Sequence, residues 1–180
     1  LKDIQELIRK EDFVEKKKVL LEQFDIVNQK IQEFEDMRNN LMFLTKRFSV
    51  LQQYGFCQLF EEEIEDEYYY RETKPDGSIW LGYMNYGYQY GVMFERNQFK
   101  SFQWTFKRCQ QEEANYMKPK GRYYAAFFLL KNEEILTCVP NFLKMLHYEK
   151  TYGPLYHEDY CSEIAGFKEQ YVIKLSIQIK

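Results

Sequence analysis

The residues in this sequence best suited to chemistry lie in the run Tyr156-His157-Glu158-Asp159-Tyr160. On a strand, side chains alternate between faces, so Tyr156, Glu158 and Tyr160 share one face. A carboxylate between two tyrosine rings suits a lipophilic cation. Each ring face contributes roughly 0.5–2 kcal/mol of cation–π attraction, and the acid supplies the opposite charge. A buried empty carboxylate resists ionisation, so a bound cation and an ionised Glu158 favour each other. The same pattern also fits a half-exposed strand with Glu158 in solvent. Glu169 and Tyr171 share a parity further on, with Glu169 placed as a second acid at a pocket mouth. Trp80, Tyr83 and Trp104 are further lining candidates, though large aromatics serve a core equally well.

Other chemistries find less support. His147 and His157 are the only histidines, and neither belongs to an acid/Cys/His pattern that holds a metal. Cys57, Cys109, Cys138 and Cys161 are widely spaced, with no Cys-x-x-Cys, so neither zinc nor a compact disulfide framework is expected. Free thiols suit a reducing compartment, which makes the expected location cytoplasmic. Gly82, Gly87 and Gly91 follow no phosphate-cradling pattern. No Ser/Thr nucleophile motif is present, and no cofactor is expected. Nothing approaches the roughly 18 apolar residues of a membrane span. A net charge of −3 offers no basic field to nucleic acid. Aromatic residues are 18% of the chain, with 16 tyrosines, which fits either a pocket lining or a tyrosine-rich sheet.

Two elements must position these residues. From Asp12 to Gln53 apolar residues return every seventh position: Phe13, Leu20, Val27, Phe34, Leu41 and Phe48. Phe24 and Ile31 partly fill a second row, the signature of a coiled-coil helix. No proline or glycine interrupts it. About 40 residues of helix reach roughly 60 Å, too long to bury the stripe within a small globule, so pairing with a second copy is expected. After Arg38 the apolar positions shift to Met37, Leu44 and Leu51, as a straight helix drifts against a strict heptad. Leu1–Lys10 reads as a short amphipathic helix, and Gly55 marks the stop of the long one.

Beyond Phe56 the period becomes two. Glu67–Arg71, Tyr90–Glu95, Ser101–Lys107, Arg122–Leu130 and Leu155–Cys161 read as strands. Lys74-Pro75-Asp76-Gly77 and Lys118-Pro119-Lys120-Gly121 read as turns, and Ser78–Gly91 is ambiguous. Asn132–Tyr148 reads as a helix that Pro140 delays or kinks, with Tyr152-Gly153-Pro154 as a break. Tyr171–Lys180 alternates apolar and polar, as in an antiparallel strand with one solvated face. The fold class is therefore α+β: a long helix over 1–54, then an aromatic-rich antiparallel sheet domain over 55–180.

In this order the chain resembles the C-terminal part of MerR-family transcriptional regulators of the multidrug-sensing kind. Lys118-Pro119-Lys120-Gly121-Arg122-Tyr123 is similar to the turn and strand entry in the middle of their GyrI-like effector-binding domain. Tyr156–Tyr160 is similar to the strand bearing a ligand-facing glutamate, here Glu158. Lys168–Ile173 is similar to the closing strand, whose pocket tyrosine falls on Tyr171, and Tyr90–Phe94 carries a weaker match with a pocket tyrosine at Tyr90. The family's helix before the Tyr90 strand has no clear counterpart in Pro75–Gly87.

The resemblance implies an antiparallel homodimer through Leu20, Phe24, Val27, Ile31, Phe34 and Leu41. It also implies a small aromatic or cationic effector, and contact with promoter DNA only through a winged helix-turn-helix upstream of Leu1, absent from this chain. The chain opens on leucine rather than methionine, as a fragment would. Ligand binding would then control transcription, with no catalysis. The alternative is a GyrI-like hydrolase using Glu158 as general acid or base. A pure coiled-coil scaffold would leave the aromatic excess without a role.

Overall fold

Helix α1 runs from Phe13 to Tyr54, and both of its ends have a local chemical cause. The Asp12 Oδ1 atom accepts a hydrogen bond from the Val14 amide at 2.8 Å, satisfying one of the unpaired donors of the first turn. At the other end Gly55 adopts a φ of +67°, and its amide donates to the Leu51 carbonyl at 2.8 Å. A side chain is strained in that conformation, which is why glycine terminates the helix. A computed structural model of the chain describes residues 12–73, 89–131, 134, 137–160 and 170–180. The chain divides into two compact units, Leu1–Phe43 and Leu44–Lys180.

In the first unit the expected stripe is solvent-facing on the single chain. Leu20, Phe24, Val27, Ile31, Phe34 and Leu41 are each more than half exposed. The second unit contains the last turns of α1 and one antiparallel sheet of eight strands. These are β1 (Phe60–Ile64), β2 (Glu67–Thr73), β3 (Tyr90–Phe94), β4 (Trp104–Arg108), β5 (Tyr116–Lys118), β6 (Gly121–Lys131), β7 (Thr151–Asp159) and β8 (Gln170–Ile179). Their order across the sheet is β1-β6-β8-β7-β3-β4-β2-β5, and every adjacent pair is antiparallel. The architecture is α+β, as the change of period from seven to two requires. The sheet is curled: Lys118 on edge strand β5 reaches Ser176 on β8 at 3.4 Å, although four strands lie between them in the order.

The curl gives the sheet two unlike faces. On the convex face Val92, Phe94, Ala126, Phe128, Leu155, Ile173, Leu175 and Ile177 pack with Cys138, Val139 and Phe142 of helix α2 (Cys138–Met145). The concave face holds two aromatic groups. Tyr69, Met93, Phe106, Tyr123 and Tyr156 form one. Phe60, Ala125, Phe127, Tyr160 and Val172 form the other, joined by Val50, Leu51 and Tyr54 from the end of α1.

Three expectations are corrected. The polar face of the last strand is not solvated: Lys174, Ser176 and Gln178 are all buried, because the sheet curls over that face. The helix expected over Asn132–Tyr148 is confined, among the described residues, to Cys138–Met145. Pro140 falls in its first turn, where a missing N–H costs least. Tyr152-Gly153-Pro154 does not break the chain before β7 but lies inside it. There Tyr152 faces Gln178 and Tyr156 faces Ser176, so four residues of β7 advance against two of β8. This bulge takes up the glycine and proline without ending the strand. Strands β1 and β5 are additions that the periodicity does not reveal. The expectations for Leu1–Lys10 and Lys74-Pro75-Asp76-Gly77 lie outside the described residues.

Candidate functional site

Glu158 lies on the concave face and is 2% exposed. Room for it is made by Gly91, its cross-strand partner on β3. A Cβ at Gly91 would collide with the His157 carbonyl and stand 2.9 Å from the Glu158 Cα, so only glycine allows β3 and β7 to approach this closely. The Glu158 carboxylate is fully engaged. Arg47, from the last turns of α1, donates through Nη2 to Oε1 and to the Asp159 carbonyl at 3.2 Å. Its guanidinium lies 4.0 Å from the centre of the Tyr160 ring. Gln89 Nε2 donates to the other carboxylate oxygen at 2.8 Å. Where a lipophilic cation was expected between Tyr156 and Tyr160, the protein's own Arg47 guanidinium pairs with Glu158 and lies over Tyr160.

From Glu158 the polar groups continue as a connected network. Gln89 Nε2 also donates to the Tyr69 hydroxyl at 3.0 Å, and that hydroxyl donates to Glu67 Oε2 at 2.6 Å. Arg108 contributes 3.2 Å to Glu67 and 3.1 Å to the Gln89 side-chain oxygen. Lys118, 1% exposed, stands 3.6 Å from Glu67. It lies over the rings of Tyr123 at 4.8 Å and Tyr156 at 4.6 Å. A separate pair on the same face joins Lys174 to Glu62 at 2.6 Å.

The electrostatics follow from burial and pairing. Burial raises the Glu67 carboxyl pKa, but Lys118, the Tyr69 hydroxyl and Arg108 together outweigh it and hold the group below its ordinary value. Burial pushes the Lys118 ammonium down, opposed by Glu67. Burial, with Glu67 and Glu158 close by, pushes the Tyr69 phenol well up, so it remains a neutral donor at neutral pH. Desolvation does the same to Tyr123 and Tyr156. These groups balance one another only as a set, because a charge left alone in this interior would lack compensation.

The structure brings together Tyr156, Glu158 and Tyr160 on one face, as their parity requires. Trp104 shares that face, opposite Met93. Tyr171 and Tyr90 do not join them. Tyr171 packs with the convex cluster. The Tyr90 hydroxyl donates to Asp159 Oδ2 at 3.1 Å, and Asp159 has the parity opposite to Glu158. The reason is strand register: Gly91, not Tyr90, is paired with Glu158, and Lys174, not Tyr171 or Ile173, faces it on β8. Glu169, Trp80 and Tyr83 lie outside the described residues. Among the described residues no group of three or more His, Cys, Asp or Glu side chains is arranged to hold a metal, and no helix is long and apolar enough to cross a membrane.

Arg47, Gln89, Glu67 and Tyr69 were not singled out as site residues, and Lys118 was read only as the start of a turn. Arg47 carried a signal nonetheless: it lies three residues after Leu44 and four before Leu51, a charge within an apolar helical line. Lys118 carried none, since it sits at the start of a turn where lysine is ordinarily solvated.

An open cavity of about 410 Å³ lies elsewhere on the concave face, lined by Arg71, Met93, Glu95, Arg96, Trp104, Tyr116, Gly153 and Pro154. Of the aromatic residues expected to line a pocket, Trp104 is on its wall. No protein-family model matches the chain, and no curated protein is similar to it.

Proposed function

We propose that this chain is the dimerisation and sensor portion of a ligand-responsive transcriptional regulator of the MerR kind, and that its effector is a flat aromatic cation that exchanges with Arg47 at Glu158. The observation that carries this reading is the Arg47 guanidinium, stacked on Tyr160 and ion-paired with buried Glu158. It supports a site suited to a planar positive charge with a ring beneath it and a carboxylate at its edge. A competing cation must supply all three interactions to replace it. Because Arg47 belongs to α1, replacing it alters the last turns of the helix that carries the exposed stripe. A ligand shifts such an equilibrium only by its differential affinity for the two arrangements, and exchange for Arg47 provides that difference. The stripe of Leu20, Phe24, Val27, Ile31, Phe34 and Leu41 then serves to pair two copies, and promoter DNA would be bound by a separate head.

The test uses benzylguanidinium and its neutral isostere benzylurea, titrated calorimetrically. Benzylguanidinium is expected to bind more tightly, and Glu158→Gln to weaken it far more than benzylurea. Equal loss for both probes would remove the charge role from Glu158. Sedimentation of the chain, 22.1 kDa as a monomer, is expected to give twice that mass, and Val27→Lys with Phe34→Lys to restore the monomer. A wild-type monomer at micromolar concentration would count against the paired helix.

A further inference from the structure

The cavity beside Trp104 has a chemistry opposite to that of Glu158. Arg71 on β2 lies between two rings, 4.1 Å from the centre of Trp104 and 4.5 Å from that of Tyr116. Stacking occupies the two faces of the guanidinium and leaves its N–H edge free to bond in plane, the geometry that grips a carboxylate with two parallel hydrogen bonds. Arg96 lines the same cavity. It is held by Thr151 Oγ1 and the Tyr148 carbonyl, each at 3.1 Å, and stacks on Tyr148 at 4.2 Å. Among the described residues neither guanidinium is paired with a carboxylate. Two fixed arginines with no acid partner therefore border one space. The remaining charge on the lining is Glu95, exposed and accepting from Gln98 at 3.1 Å, so the lining carries one net positive charge. Met93 and Pro154 supply apolar surface.

The cause of the cavity is the bulge in β7. Between Tyr152 and Tyr156 the pairing with β8 slips, and Gly153 and Pro154 at that point form one wall. At about 410 Å³ the space falls within the roughly 300–1,000 Å³ of small-molecule sites.

We propose that this cavity binds a hydrophobic monocarboxylate, with its carboxylate on Arg71 and Arg96 and its apolar body on Met93 and Pro154. A single net positive charge matches a monoanion better than a phosphate dianion, and Glu95 opposes the second charge. The site is distinct from Glu158 and does not rest on the reading given for it. The two probes have opposite charge, so failure of one leaves the other standing.

The experiment is calorimetric titration of the full chain with 1-naphthoate, 1-naphthylmethanol and inorganic phosphate at pH 7. The acid is expected to bind at least about tenfold more tightly than the alcohol, the usual scale of a charge-assisted hydrogen-bonded pair, and more tightly than phosphate. Arg71→Gln should abolish the preference for the acid. Arg71→Lys should recover only part of it, because an ammonium lacks the planar fork. If Arg71→Gln fails to fold by circular dichroism, Arg96→Gln serves as the second variant and should show the same loss. Equal affinity for acid and alcohol, or full retention of the preference in a folded Arg71→Gln or Arg96→Gln chain, overturns the proposal.

Discussion

The two faces of the curled sheet are built on opposite principles from the same strands. The convex face is mostly hydrocarbon, with His157 buried beside Phe94, and is closed by Val139 and Phe142 of α2. Its energetics are those of area removed from water, and each side chain acts largely on its own. The concave face buries Lys118, Glu158, Arg47 and Lys174 among tyrosines, with Glu67 partly buried beside them. No member of that set is tolerable without its partners. One face therefore degrades gradually under substitution, and the other fails as a unit.

The sharpest way to break this comparison is Glu67→Ala. It leaves Lys118 buried without a carboxylate and is expected to cost about 3–5 kcal/mol in urea unfolding. The double change Glu67→Leu with Lys118→Met removes both charges and should restore most of that loss. A double variant as unstable as the single one would mean that shape, not charge balance, rules this face. On the convex face Leu175→Ala is expected to cost about 3 kcal/mol from lost packing, with no second substitution that rescues it by charge.

Next in size is the response to acid. Glu67 is held below its ordinary value of 4.5, so its contribution is complete above that pH and is lost as pH falls through the lowered folded value. Unfolding midpoints of the wild type should therefore drop more steeply below pH 4.5 than those of the double variant, and parallel curves would exclude Glu67 as the group responsible. Lys118 has the same slope in an alkaline window, although at neutral pH its shift costs stability where that of Glu67 contributes it. Its value is lowered from 10.5, so between the folded value and 10.5 the unfolded chain binds more protons and stability rises with pH. The smallest effect belongs to the Arg122–Glu61 pair, 3.8 Å apart and largely solvated. Glu61→Ala should change stability by less than about 0.5 kcal/mol, and a larger change would show that solvation is not what separates strong pairs from weak ones here.

Period and end chemistry made much of the fold legible. The heptad row with Gly55 located α1 to within a residue or two, a period of two located β2, β3 and β8, and a continuous apolar run located β6. Strand β1 was hidden because Phe60–Ile64 carries three consecutive glutamates, poor strand formers in isolation. The parity of Tyr156, Glu158 and Tyr160 was readable because it depends on one strand alone. Arg47 at Glu158, and Tyr171 and Tyr90 turned away from it, were not, because they depend on register between strands and on the curl. The same curl turned the alternation of β8 from a sign of solvent into a sign of a second interior: Lys174, Ser176 and Gln178 face protein rather than water.

The outermost strands carry a consequence for solubility. An open sheet exposes unpaired backbone at both borders and invites other chains to extend it. Here one border is β1, where Glu61 and Glu63 face outward. The other, β5, is three residues long. Like charges repel a second copy at the first border, and the second offers too few rungs for a ladder to grow. Glu61 and Glu63, exposed on β1, thus protect a tyrosine-rich sheet from edge-to-edge aggregation.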